Sequence, residues 1–218
     1  MSNAVATKRD KKSRRDKRLP FGRRQSSLSG WLQKIRAAEQ SASSLSDSQL
    51  RASADLCREE YARKPRQKLL VEFGGLLTEA IYRSNGFRLY DVQVKAIAAA
   101  ATGAIVEMQT GEGKTIVTGA IAAIQSLTAP SVHVGTTNTY LAERDLESLT
   151  GTFDRMGITY GLLPEESNES ESRRVYGCQI VYGPGYQYGF DYLRDQMNLR
   201  ENRPVSYTHL TLPTIYSV

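Results

Sequence analysis

The residues with the clearest chemical meaning are Met108-Gln109-Thr110-Gly111-Glu112-Gly113-Lys114-Thr115. They follow a short apolar run, Ala104-Ile105-Val106, and precede a helix-like segment at 116–127. A glycine-rich turn between a strand and a helix lets successive backbone N–H groups face an anion, and the helix N-terminus adds partial positive charge. Lys114 would then reach the β- and γ-phosphates of a nucleoside triphosphate, and the Thr115 hydroxyl would ligate Mg²⁺. Thr110, Gly111, Glu112 and Gly113 would form the cradle itself. The general pattern for such loops opens on a glycine, and Met108 stands there instead. The assignment therefore leans on what surrounds the loop.

Upstream, Gln93 offers a donor and an acceptor on one amide, which matches the N6 and N7 edge of adenine. Guanine presents the opposite pattern at its six position, so such a glutamine would favour ATP over GTP. Phe87 and Tyr90 precede it; both are core candidates first and adenine neighbours second. Glu112 would shape the loop rather than transfer a proton. His133, in a predicted strand, is read as a satisfied core or edge histidine rather than a catalytic base. The rings of Tyr182, Tyr186, Tyr188, Phe190 and Tyr192 could stack on single-stranded nucleic acid, but packing against a sheet edge is the simpler reading. Arg194-Asp195 reads as a local ion pair.

Several elements must position these groups. Trp31, Leu32, Ile35 and Ala38 share a helical face in a segment starting near Ser29. Ser46-Asp47 signals the start of a second helix toward Lys64, with Leu50, Ala54, Cys57 and Tyr61 on one side. Pro65 opens a third, whose apolar face is Leu69, Leu70, Phe73, Leu76, Leu77, Ala80 and Ile81 and which Asn85-Gly86 closes. These three helices should clasp a following domain. Asp91 is expected to cap a helix through Ala101. Strand and helix patterns then alternate: strands at 104–108, 131–136, 158–163 and 178–182, helices at 114–127, 139–156 and 170–176. That alternation predicts an α/β domain, a parallel sheet with helices on both faces, with its ligand at the strands' carboxyl ends.

Charge narrows the function classes. The protein has 218 residues and a net charge of +6. Residues 1–24 hold ten Lys/Arg against two Asp, so the remainder is slightly acidic, with 19 basic and 21 acidic side chains. The basic character belongs to the tail, which does not point to a nucleic-acid groove on the domain. Residues 1–27 are read as a disordered basic tail, in the simpler reading a solvated extension and in the sharper one an arm that could touch anionic lipid or nucleic acid. Cys57 and Cys178 are far apart and lack metal-site spacing, which suits a reducing cytosol. No run of about 18 apolar residues suggests a membrane-spanning helix.

Three strings join the phosphate loop in chain order. Tyr90-Asp91-Val92-Gln93 precedes it; Val132-His133-Val134-Gly135-Thr136-Thr137-Asn138-Thr139-Tyr140-Leu141-Ala142-Glu143-Arg144-Asp145 follows it. The last is Tyr182-Gly183 with Tyr188-Gly189-Phe190-Asp191-Tyr192-Leu193-Arg194-Asp195. Together they resemble the first nucleotide-binding domain of the SecA family, the ATPase motors of bacterial preprotein translocation. The resemblance spans roughly residues 30–204 and implies a RecA-like P-loop domain, in a family where Met replaces the first loop glycine. It further implies ATP and Mg²⁺ as cofactors, a SecYEG-type translocon and preproteins as partners, and a cytoplasmic protein peripheral to the membrane. The other class considered is a nucleic-acid-dependent, helicase-like ATPase.

Departures from the family pattern are Tyr90 for Phe, Thr139 for Asp, and Pro184-Gly185-Tyr186-Gln187 for T-N-N-E in a loop. The resulting organisation is a basic tail (1–27), a helical region (28–86) and a partial first nucleotide-binding domain (87–204). Residues 205–218 match nothing in the family and are read as a non-native tail. The family's Walker B acids and arginine fingers would lie beyond residue 204, so the 218 residues are expected to bind nucleotide without hydrolysing it.

Overall fold

Helical structure begins earlier than the apolar periodicity indicates. The computed structural model describes residues 21–165 and 169–198. Its first helix, α1 (Phe21–Ala42), already occupies the last part of the segment read as a disordered tail. Burial of Trp31 and Ile35 anchors α1, and a helix so anchored can extend through weakly helix-forming residues at its start. Residues 1–20 and 199–218, and with them most of the basic tail and the whole of the suspected non-native tail, lie outside the described residues.

Helix α2 (Asp47–Arg63) starts at a reciprocal cap: Ser46 Oγ accepts the Gln49 N–H at 3.2 Å, and Gln49 Oε1 accepts the Ser46 N–H at 2.9 Å. Such a cap contributes about 1 kcal/mol. Helix α3 (Gln67–Asn85) buries all seven residues of its expected apolar face and ends at Gly86, whose φ of 77° is left-handed. Gly75 permits its closest contact. A Cβ there would stand 2.4 Å from the Ala38 Cβ and 2.7 Å from the Ala38 and Glu39 backbone. Glu39 and Glu79, each 3 % exposed, neutralise this packed region by pairing with arginines, Arg88 at 2.6 Å and Arg83 at 2.9 Å.

Helix α4 (Asp91–Ala101) corrects one expectation: Asp91 is its first residue rather than its cap. The Asp91 carboxylate instead accepts from Arg36 of α1 at 2.8 Å. After α4 comes the irregular segment 104–108, then the phosphate loop and α5 (Lys114–Gln125). The expected strand at 104–108 is absent. Its apolar sequence is strand-like, but a strand needs a hydrogen-bonded neighbour, and a cavity of about 390 Å³ separates this segment from the sheet.

The remaining elements are β1 (Val132–Thr136), α6 (Thr139–Glu147), α7 (Thr150–Met156), β2 (Tyr160–Leu162), α8 (Glu169–Tyr176), β3 (Ile180–Pro184) and α9 (Gly185–Asn198). The single helix expected over 139–156 is two. Leu149, fully buried, separates them by turning in toward α5, where Gly119 has no Cβ to obstruct it. Asn85 Nδ2 donates to the Ser148 carbonyl at 2.9 Å and satisfies the broken end.

Among the described residues three strands form a parallel sheet in the order β1-β3-β2, with Val132 opposite Ile180 and Tyr160 also opposite Ile180. β3 is central, and all five of its residues are buried. Strand alternation sends Ile180 and Tyr182 into the main core and Val181 into a second core with Leu163 and Val175, so both sheet faces are covered. The three N-terminal helices pack on the elements that follow: α1 on α4, α2 on α7, and α3 on α5 and α7. The sequence 184–187, read as a loop, is instead the end of β3 and the first turn of α9.

Candidate nucleotide site

The phosphate loop is held by its own residues before any ligand is considered. Glu112 Oε2 accepts the Gln109 N–H at 2.7 Å, and the Glu112 N–H reaches the Gln109 carbonyl at 3.3 Å, closing a turn. Glu112 therefore shapes the loop, as its position suggested. Gly111 and Gly113 have φ of 88° and 78°, a region where L side chains are strained. Gly113 is also the N-cap of α5, which has no side-chain cap. The first N–H groups of α5 are consequently open toward the loop.

Lys114 and Thr115 begin α5. Lys114 forms no ion pair with the carboxylates among the described residues. Thr115 Oγ1 donates to Asp145 Oδ1 at 3.2 Å, and Arg144 grips the same carboxylate oxygen at 2.7 Å. Asp145, from α6, is the residue that sequence reading did not assign to the site. Its only signal was membership of the string ending Arg144-Asp145, thirty positions from Thr115.

Gln93 is 6 % exposed and lies against the loop. Its Nε2 donates to the Glu112 carbonyl at 2.8 Å, and its Oε1 accepts the Tyr90 N–H at 2.8 Å. One N–H and one acceptor lone pair of the amide remain beyond these two bonds. A Cβ on Gly113 would meet Nε2 at 2.6 Å, so the glycine admits the glutamine. Phe87 and Tyr90, expected in the core, are 44 % and 75 % exposed. Leu89 takes the core position between them, because the segment alternates sides as it enters α4.

The 390 Å³ cavity beside the loop is lined by Ile105, Met108, Val117, Ile121 and Val132 as well as Lys114. These mainly aliphatic walls do not suit a polyanion, which would lose hydration there without compensation. The loop and the N-terminus of α5 do suit one. As a fit for Mg²⁺, the Thr115 hydroxyl is an oxygen donor of the hard kind that ion takes, and the adjoining Asp145 carboxylate, itself held by Arg144, accepts its hydrogen bond.

On the sheet, His133 stacks on Tyr188 at 5.1 Å and meets Tyr176 edge-on at 5.6 Å. Burial holds its pKa below the usual value, which keeps it neutral and agrees with a packing role. Tyr188 Oη donates within reach of the Val181 and Val134 carbonyls, and Tyr176 Oη donates to Asp191 at 2.7 Å. Burial and the Asp191 charge push the Tyr176 phenol far above its ordinary range. Tyr186 and Phe190 depart from the expected packing: they lie exposed one helical turn apart on α9. Arg194 pairs with Asp191 at 3.2 Å, one helical turn away, where the sequence suggested adjacent Asp195.

A family model described as the SecA DEAD-like domain matches residues 17–212. The chain belongs to the SecA DEAD-like domain family. Protein translocase subunit SecA of Treponema denticola is 40 % identical over 171 residues, covering 78 % of this chain and 18 % of that protein. The Brachyspira hyodysenteriae subunit is 42 % identical over 155 residues, covering 69 % of this chain and 16 % of its own length. That of Francisella tularensis subsp. novicida is 37 % identical over 175 residues, or 80 % and 19 %. The chain thus spans less than a fifth of these SecA proteins. Relatives named for protein translocation do not favour the helicase-like alternative. Among the described residues, no helix is long and apolar enough to cross a membrane.

Proposed function

We propose that this chain is the ATP-binding part of a SecA-type translocase motor, which couples ATP hydrolysis to preprotein export through a SecYEG-type translocon at the cytoplasmic face of the membrane. One observation carries the reading: two left-handed glycines lead into an uncapped helix whose first residues are Lys114 and Thr115. Backbone N–H groups of that turn bind the phosphate oxygens, with Thr110, Gly111, Glu112 and Gly113 forming the cradle. Lys114 neutralises the β- and γ-phosphates. Thr115 holds Mg²⁺ through its hydroxyl, and Asp145 beside it orients that hydroxyl. Bound Mg²⁺ supplies charge neutralisation on the phosphate oxygens. Gln93 recognises adenine with the remaining amide valences, and the exposed Tyr90 and Phe87 rings stand as its neighbours. The basic N-terminal residues add attraction to anionic lipid.

The test is equilibrium binding of ATP with Mg²⁺ to the 218-residue chain and to Lys114→Ala. The variant should lose measurable binding while keeping its helical content. Equal affinity in the two proteins would refute the phosphate-loop assignment.

A further inference from the structure

Arg36 lies on α1, 55 residues before the start of α4 in the chain, yet its guanidinium reaches the entrance to α4. Its Nη2 donates to the Leu89 carbonyl at 2.6 Å and to Asp91 Oδ1 at 2.8 Å, and its Nε approaches the same oxygen at 3.3 Å. The third arm, Nη1, donates to Glu39 Oε2 at 2.8 Å. Glu39 is nearly fully buried, and its other oxygen accepts from Arg88 Nη1 at 2.6 Å. The Arg88 guanidinium in turn lies 4.2 Å from the Tyr82 ring centre. Residues 88, 89 and 91 are therefore all fastened to one buried carboxylate and one arginine fork on α1.

The fastened segment encloses Tyr90, whose N–H fixes the Oε1 of Gln93. With Oε1 so turned, Nε2 faces the Glu112 carbonyl of the phosphate loop. The orientation of the Gln93 amide thus depends on where residues 89–91 are held. We propose that Arg36 is a positioning residue for nucleobase recognition, setting the Gln93 amide through Leu89 and Asp91. This rests on the reading of 93 and 108–115 as a nucleotide site.

A simple surface ion pair would not do this. The Asp91 side chain is 65 % exposed, and such pairs contribute little by themselves. The backbone bond to Leu89 and the buried Glu39 make the difference, because an arginine fork joins three acceptors in one rigid plane. The phosphate loop has its own closure through Glu112 and Gln109, independent of α1. Loss of Arg36 should therefore blur the choice of base far more than it weakens phosphate binding, since the loop keeps this closure when the Gln93 bond to Glu112 shifts.

Affinities of the full chain for ATP, GTP and inorganic tripolyphosphate, each with Mg²⁺, test this by calorimetry. The parent should prefer ATP. Arg36→Met, which keeps the stem and removes the fork, should lower the ATP-to-GTP affinity ratio about three- to tenfold, the scale of one ordinary hydrogen bond from the Gln93 amide. Tripolyphosphate affinity should stay within about twofold, and Arg36→Lys, keeping charge but not the fork, should fall between. Asp91→Asn tests the same link without touching α1, should Arg36→Met fold poorly. An unchanged ratio in both variants, with a reduced ratio in Gln93→Ala, would overturn the Arg36 role alone. An unchanged ratio in Gln93→Ala as well would overturn base recognition by Gln93 and the inference with it. A parallel fall in tripolyphosphate affinity would reduce Arg36 to a structural residue and overturn the inference.

Discussion

Gly113→Ala is the substitution whose cost can be worked from the structure in two separable parts. The first is conformational. At φ 78° and ψ 37° the residue is left-handed, which costs an L-residue about 1–2 kcal/mol. The second is a collision. The new Cβ would lie 2.6 Å from Gln93 Nε2, so the amide must leave and the Glu112 carbonyl loses its donor. Displacing a buried hydrogen-bonding group costs about 1–3 kcal/mol. Together these give about 2–5 kcal/mol, a large part of the roughly 5–15 kcal/mol stability of a domain. Gly111→Ala is the internal control: its φ is 88°, but a Cβ there meets nothing within 4 Å, so only the conformational part applies. Urea unfolding of Gly111→Ala, Gly113→Ala, Gln93→Ala and the Gly113→Ala/Gln93→Ala double variant would measure each part. The cost of Gly113→Ala should drop to about that of Gly111→Ala once Gln93 is shortened, a coupling of about 1–3 kcal/mol. Strict additivity, or equal costs for the two glycine substitutions in the parent, would refute the proposed contact between Gly113 and Gln93.

Gly75→Ala should cost about 3 kcal/mol or more, above ordinary overpacking, because the new methyl meets backbone rather than a flexible side-chain end; a urea midpoint close to the parent's would show that α1 and α3 part cheaply. For His133 the sign follows from its lowered pKa: the unfolded chain takes a proton below about pH 6.5 that the folded chain resists, so stability falls as pH drops through that value. His133→Phe keeps a ring between Tyr188 and Tyr176 and should flatten the stability profile between about pH 6.5 and 5, measured by denaturation at each pH. An identical slope in both proteins would show that His133 is not the group responsible.

Much of the architecture was open to reading because it rests on local rules. The apolar stripe of α3, the reciprocal cap at Ser46 and the left-handed stop at Gly86 each depend on a few neighbouring residues. The errors arose where a distant partner decides. Residues 104–108 have strand composition, but no strand among the described residues pairs with them across the cavity. A continuous helical pattern over 139–156 is broken because Leu149 finds space beside Gly119, thirty residues earlier. Phe87 and Tyr90 are apolar enough for a core, yet Leu89 between them occupies it.

The candidate site divides along the same line. The order of glycines, lysine and threonine between 110 and 115 determined by itself a turn able to receive phosphate and a helix to back it, since φ and the first turn of a helix are local properties. The strings around it determined the family. What only the tertiary structure decided is the company these residues keep: Asp145 at the Thr115 hydroxyl, Glu112 folded onto Gln109, and Gln93 bridging Tyr90 to the loop. It also decided that α1 grips the start of α4 through Arg36. Those contacts join residues as far as 55 positions apart, and only burial of the intervening helices against one another can bring such groups within hydrogen-bonding distance.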